Sequence, residues 1–197
     1  MKNKKMKVRQ VAVTVLAFVM MIVFSACGNA NKSAVKVFEQ VKNNNSKGIA
    51  KYYMGDPKDF SFLQNAYYNE SNQTGEHRRL YNSLKKKLLA FTVTEGQRVT
   101  SGKEASLRVA FTSYDFSNIM TPEEAAEFKA AIASQDASKL SLASVRSIQQ
   151  KVDALDKQSS TKYMKIAFQK DGMRWKMKPL DTEVYDALSG GFYSLVK

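Results

Sequence analysis

From Val11 to Phe24 the chain is apolar except for Thr14, and the segment before it holds Lys2, Lys4, Lys5, Lys7 and Arg9 with no acid. Beyond that block the apolar residues are spaced. Ala34, Val37, Phe38 and Val41 fall at i, i+3, i+4 and i+7, the stripe of an amphipathic helix. Asn43-Asn44-Asn45 interrupts it, and Ser46 is placed to cap a short second helix carrying Ile49, Tyr52 and Tyr53, which Gly55-Asp56-Pro57 ends. Residues 58–75 have no clean period, and Asn69 to Gly75 reads as an exposed loop. His77, Leu80, Tyr81, Leu84 and Leu88 then form a third stripe, whose opposite face carries Arg78, Arg79, Asn82, Lys85 and Lys86.

The period next changes to two. Phe91, Val93 and Val99 share one face of a strand, and Ala105, Leu107, Val109 and Phe111 share one face of the next. With Thr100-Ser101-Gly102 as a three-residue loop, Gly102 takes the left-handed position and Phe91 pairs with Phe111, Val93 with Val109 and Arg98 with Glu104. Thr121-Pro122-Glu123-Glu124 is a helix start, with Thr121 as N-cap and Glu124 closing a capping box. Another helix follows from about Leu140, carrying Val145, Ile148, Val152 and Leu155. Asp171-Gly172 marks a second hairpin, which pairs Phe168 with Trp175 and Ile166 with Met177 and brings Lys165 against Lys178. A short helix over Asp181–Leu188 stops at Gly190-Gly191. Helices first, then two tight hairpins separated by a helical insertion, is an α+β order with an antiparallel sheet.

Charge and cysteine content add compartment to this picture. The chain has 197 residues, 31 basic against 18 acidic, and a single cysteine, so no disulfide framework can form within it. The apolar run of 14 residues falls short of the roughly 20 that a spanning helix requires. A basic start, that run, and small residues at Ser25 and Ala26 describe a secretory signal peptide. Removing residues 1–26, with five of the basic residues, leaves 171 residues with 26 basic and 18 acidic side chains, a net +8.

Phe24-Ser25-Ala26-Cys27 resembles the lipobox of bacterial lipoproteins, with Phe24 in place of the usual aliphatic residue. The resemblance implies cleavage between Ala26 and Cys27, a diacylglyceryl group on the Cys27 sulfur with palmitate-type acylation, and attachment to the outer face of the cell membrane. Two acyl chains make a stable anchor where one is marginal. Gly28 to Ser33, small and polar, reads as a flexible tether, which gives a signal peptide over 1–26, a lipidated tether over 27–33 and a single domain over 34–197.

The lipobox, the helical start over 34–53, Phe111-Thr112-Ser113-Tyr114-Asp115-Phe116 and the closing Lys170-Asp171-Gly172-Met173-Arg174-Trp175-Lys176-Met177 are similar to Gram-positive lipoproteins of unknown function that carry a nuclear transport factor 2-like (cystatin-like) domain. That resemblance implies N-terminal helices packed in a curved antiparallel sheet, cone-like; the helical segment 122–158 is longer than the simplest versions of that fold carry, which leaves its packing open, a lid or side flap being one arrangement. Catalytic relatives in the wider superfamily are isomerases and dehydratases with a pocket Asp, His or Tyr.

No catalytic constellation accompanies the fold signals. His77, the sole histidine, falls in a first helical turn and reads as a capping or surface residue, and Asp115 as a strand terminus or helix cap rather than a pocket acid. There is no metal-ligand spacing, no phosphate loop and no nucleophile elbow, so no metal or cofactor is expected. The basic run Arg78, Arg79, Lys85 and Lys86 is the binding candidate by charge. A tethered extracytoplasmic chain would meet anionic lipids or wall polymers with it rather than nucleic acid. The leading expectation is a membrane-anchored, non-catalytic ligand- or partner-binding module of the cell envelope, and the alternative is an isomerase or dehydratase with a pocket acid. The sequence names no protein partner.

Overall fold

The computed structural model describes residues 30–64 and 71–197. Helix α1 covers 30–42 and α2 covers Ser46–Tyr52, with Asn45 rather than Ser46 as its N-cap, accepting from the Gly48 amide at 3.0 Å. A 3-10 turn over Pro57–Phe60 and α3 (Ser61–Gln64) follow, then α4 (Gly75–Leu88). Strands β1 (Thr92–Ser101) and β2 (Glu104–Ser113) form the first hairpin. Helices α5 (Pro122–Ser134) and α6 (Leu142–Ala154) precede the second, β3 (Ser160–Asp171) and β4 (Arg174–Met177). Helices α7 (Thr182–Leu188) and α8 (Phe192–Val196) close the chain.

The four strands form one antiparallel sheet in chain order, β1-β2-β3-β4, so the helical insertion returns β3 to the open edge of β2. One face is apolar. Leu107, Val109 and Phe111 of β2, Ile166 and Phe168 of β3, and Trp175 and Met177 of β4 are all buried. Helix α1 lies against that face, with Phe38 edge-on to Phe91 at 6.1 Å and to Phe111 at 5.3 Å between ring centres. Burial of Val37, Phe38 and Val41 is worth about 1.5–3 kcal/mol each, which fixes the helix more firmly than its own propensity does. The opposite face is open, with Tyr163 65% exposed and the Arg108 guanidinium 5.3 Å from its ring centre.

Both hairpins turn one step later than their sequences suggest. Each loop has two residues, Gly102-Lys103 and Gly172-Met173, with glycine first and at positive φ (57° and 59°). Ser101 therefore faces Glu104, and Asp171 faces Arg174. In the second hairpin this is a two-residue slip from the predicted register, so every side chain keeps its face but changes partner: Phe168 meets Met177, and Lys170 meets Trp175. The expected Lys165–Lys178 repulsion does not arise. Arg108 lies opposite Lys165, and Lys178 reaches Glu104 at 2.7 Å.

In the first hairpin the partners also change, Val93 facing Phe111 and Arg98 facing Leu107. A β-bulge between Glu95 and Arg98 interrupts the alternation, as one extra residue inverts every side chain beyond it. Val99, predicted inward, is consequently 60% exposed.

The bulge also ties α1 to the sheet. Residues 30–33, read from composition as tether, are helical and belong to α1, with Ala30 and Ser33 buried. Glu95 and Arg98 are three residues apart yet emerge on the same side of the bulge and grip Asn31. The Asn31 amide donates to Glu95 Oε2 at 2.7 Å, and its carbonyl accepts from Arg98 at 3.3 Å.

The insertion is part of the core rather than a lid. Helix α6 packs along α4, and α5 against α8, through edge-on contacts of Phe128 with Tyr81 and with Phe192 at 6.0 Å each. The capping box at Thr121 is formed, Thr121 N–H donating to Glu124 at 2.8 Å and the Glu124 amide to Thr121 Oγ1 at 3.3 Å. Gly190 ends α7 at φ 61°, and its carbonyl accepts from the Phe116 amide at 2.8 Å.

Candidate functional site

Helix α4 carries the basic run. Its five apolar-stripe residues, His77, Leu80, Tyr81, Leu84 and Leu88, are all buried, so the helix turns Arg78, Arg79 and Lys86 to solvent with Lys85 half-buried beside them. Lys87 points elsewhere, donating to the Leu155 carbonyl with its ammonium 4.9 Å from the Tyr114 ring centre. Arg79 borders a cleft of about 470 Å³ between α4 and α6, where Arg146 makes a two-pronged bond to Glu76 at 2.8 Å per contact.

His77 is a capping residue and is not on the surface. It sits at the third position of α4, 2% exposed, with Nδ1 3.3 Å from the Thr74 amide and 2.8 Å from Thr74 Oγ1. Its Nε2 lies 2.9 Å from the Leu140 carbonyl. A carbonyl only accepts, so Nε2 carries the proton and Nδ1 is the acceptor; Nδ1 caps the start of α4 and Nε2 joins α4 to the loop before α6. Asp115 is a local cap. Its exposed carboxylate accepts from Ser117 Oγ at 2.6 Å and from the Ser117 amide at 3.0 Å, and these bonds hold it below the usual carboxylate range.

Two clusters escape a linear reading of the chain. Tyr53, Asp59 and Tyr185 come together at the end of α2, the 3-10 turn and α7. Tyr53 Oη donates to Asp59 at 2.7 Å, accepts from the Leu180 amide at 3.4 Å, and lies 3.0 Å from Tyr185 Oη. Since the single Tyr53 proton goes to the carboxylate, Tyr185 must donate to Tyr53. Burial pushes Tyr53 up to about 12 despite the bond from Tyr185, and burial followed by the bond to Tyr53 pushes Tyr185 up as well. Asp59 and Tyr185 border a shallow cleft of about 520 Å³, with Lys58, Phe62, Tyr193 and Lys197 around it.

The second cluster surrounds Tyr52. Lys32 and Lys36 of α1, Tyr52 of α2, and Met173, Arg174 and Trp175 of the second hairpin border a groove of about 170 Å³. Lys36 Nζ donates to Tyr52 Oη at 3.3 Å, and the Lys36 and Lys51 ammoniums lie 5.0 and 5.7 Å from its ring centre. That bond, then the charges of Lys36, Lys51 and Arg174, holds the Tyr52 phenol below its ordinary range.

Ala26 and Cys27 lie outside the described residues, and Ala30, the first described residue of α1, is three residues after Cys27. Among the described residues no helix is long and apolar enough to cross a membrane, and no three His, Cys, Asp or Glu side chains converge as a metal site would require.

No protein-family model matches the chain, and no curated protein matches it. Among solved structures it is similar to ycdA of Bacillus subtilis, described as a candidate lipoprotein, with a TM-score of 0.47 and 13% identity over 82% of this chain. The chain spans about half the length of that protein, 55%.

Proposed function

We propose that this chain is a lipoprotein held on the outer face of a cell membrane by acyl groups on Cys27, and that its domain is a non-catalytic ligand- or partner-binding module of the cell envelope. The observation that carries the reading is the sequence itself: a basic start, a 14-residue apolar run, and Ser25-Ala26 before the sole cysteine. In the cystatin-like reading of the domain, the N-terminal helix sits against the inner face of an antiparallel sheet, and the contact of Phe38 with Phe111 supports this. The outer face of α4, with Arg78, Arg79, Lys85 and Lys86, is the proposed contact for anionic envelope polymers or lipids.

The module reading is favoured over an isomerase or dehydratase by the proton bookkeeping in the Tyr53 cluster. The proton of Tyr185 goes to Tyr53 and that of Tyr53 to Asp59, so neither phenol has a donor left for a substrate in the cleft. His77 is likewise engaged at both nitrogens.

Metabolic labelling with an alkyne analogue of palmitate tests the anchor. The unmodified chain is expected to take up label in the membrane fraction and a Cys27→Ala variant to take up none; equal labelling of both would reject it. Replacing Arg78, Arg79, Lys85 and Lys86 by Glu is expected to abolish salt-sensitive binding to anionic polymer, and unchanged binding would remove α4 from the proposal.

A further inference from the structure

We propose that the cationic groove around Tyr52 is the face that docks on the membrane, with Lys32, Lys36, Lys51 and Arg174 binding the phosphates of anionic lipid headgroups and Met173 entering the apolar layer. The proposal rests on the anchoring reading above and goes beyond it, because an acyl anchor alone leaves the orientation of the domain open.

Charge supports the assignment. Lys32, Lys36 and Arg174 border the groove, and Lys51 stands on the other side of Tyr52. None of the ion pairs formed among the described residues involves any of the four. The groove lining contains no carboxylate. Cations gathered around a groove whose lining holds no carboxylate repel one another, and an anion placed between them lowers that cost. A guanidinium matches phosphate with two parallel donors and the ammoniums add point charges, a combination suited to a phosphodiester headgroup.

Shape supports it too. Met173 sits in the two-residue loop at the tip of the second hairpin and is 89% exposed, next to Arg174. An unbranched apolar side chain projecting beside a cation is the arrangement of a lipid-inserting tip, apolar outermost and cationic at headgroup level.

Position supports it most. Lys32 and Lys36 belong to the first two described turns of α1, and Ala30, its first described residue, is three residues after Cys27. Three residues span at most about 11 Å, so an acyl group on Cys27 keeps this end of α1 within reach of the headgroups. The bond from Asn31 to Glu95 fixes the same turn to the sheet.

The sole tryptophan, Trp175, borders the groove and serves as the reporter. The acylated full chain, purified from membranes, is reconstituted into vesicles of phosphatidylcholine alone or mixed with phosphatidylglycerol, each containing lipids brominated near the headgroup. Docking predicts strong quenching of Trp175 emission in the phosphatidylglycerol vesicles, weak quenching in phosphatidylcholine, and loss of the difference in concentrated salt. Lys32→Gln, Lys36→Gln and Arg174→Gln should each lower the docked-to-undocked ratio about fivefold. A chain that stays with the vesicles but shows the same quenching in both lipids, at any salt, overturns the docking and leaves the anchor standing. Loss of quenching on the α4 substitutions alone overturns it in favour of the other face. A chain not recovered with the vesicles overturns the anchor and the docking together.

Discussion

The Asn31 side chain donates to the Glu95 carboxylate at 2.7 Å across 64 positions of sequence, and this bond ties α1 to the first strand of the sheet. It exists because the bulge in β1 turns Glu95 and Arg98 to one side, where each engages one end of the same amide. Replacing Asn31 by Ala leaves a carboxylate and a guanidinium at the sheet edge without that bridge. The expected cost is about 1–2 kcal/mol in urea denaturation, with amide-exchange protection lost first in the opening turns of α1. Unchanged protection there would show that the contact does not hold the helix.

Two glycines at nearly the same φ should respond differently to alanine. Gly172, at 59°, has open space where a Cβ would go, so Gly172→Ala carries only the left-handed strain of about 1–2 kcal/mol. Gly190, at 61°, would place a Cβ 1.9 Å from the Tyr114 carbonyl oxygen, a backbone atom already fixed by the Phe116 amide bond to Gly190. Gly190→Ala should cost about 3 kcal/mol or more, since either the end of α7 or the Tyr114–Phe116 loop must move. Equal midpoints for the two variants in thermal melts would contradict this.

These glycines also mark the limit of what the sequence made legible. Periodicity found α4 through its His77 to Leu88 stripe, cap chemistry found the start of α5, and Gly190-Gly191 marked the end of α7, because each is decided by residues within one or two helical turns. Asp-Gly and Ser-Gly located both hairpins, but glycine at positive φ fits either central position of a two-residue loop, and the choice shifts every pairing. The bulge at Glu95–Arg98 does have a local signal, Gly96, since an isolated glycine in a strand marks a bulge, but the period-two reading of β1 runs straight through it. The helical state of residues 30–33 was hidden because the buried residues there, Ala30, Ser33 and Ala34, are small and resemble a linker in composition. Of the candidate sites, the basic face of α4 could be read from one helix. The Tyr53–Asp59–Tyr185 and Tyr52 clusters could not, because each is assembled from segments more than 100 residues apart.

Alkaline titration should separate these tyrosines. The folded chain holds Tyr53 protonated up to about 12 against 10.0 for a free phenol, so the unfolded chain releases this proton first. Tyr53 therefore contributes stability in full below pH 10 and loses it as pH rises from 10 to 12, and Tyr185 acts in the same direction. Tyr52, held down by the bond from Lys36, should ionise early with no loss of fold. Tyrosinate absorbance followed alongside circular dichroism is expected to show an early phase in the native chain and a late phase coincident with unfolding. Removal of the early phase in Tyr52→Phe, and reduction of the late one in Tyr53→Phe, would assign them. A single phase preceding any unfolding would contradict the assignment.

The central claim is that Cys27 is the acylated first residue of the mature protein, and the mass of the N-terminal peptide in chain purified from membranes tests it most directly. The account predicts a peptide that starts at Cys27, carries the added mass of a diacylglyceryl group on sulfur, and is accompanied by no sequence from residues 1–26. A peptide starting at Met1, or one holding Cys27 as a free thiol, would contradict it.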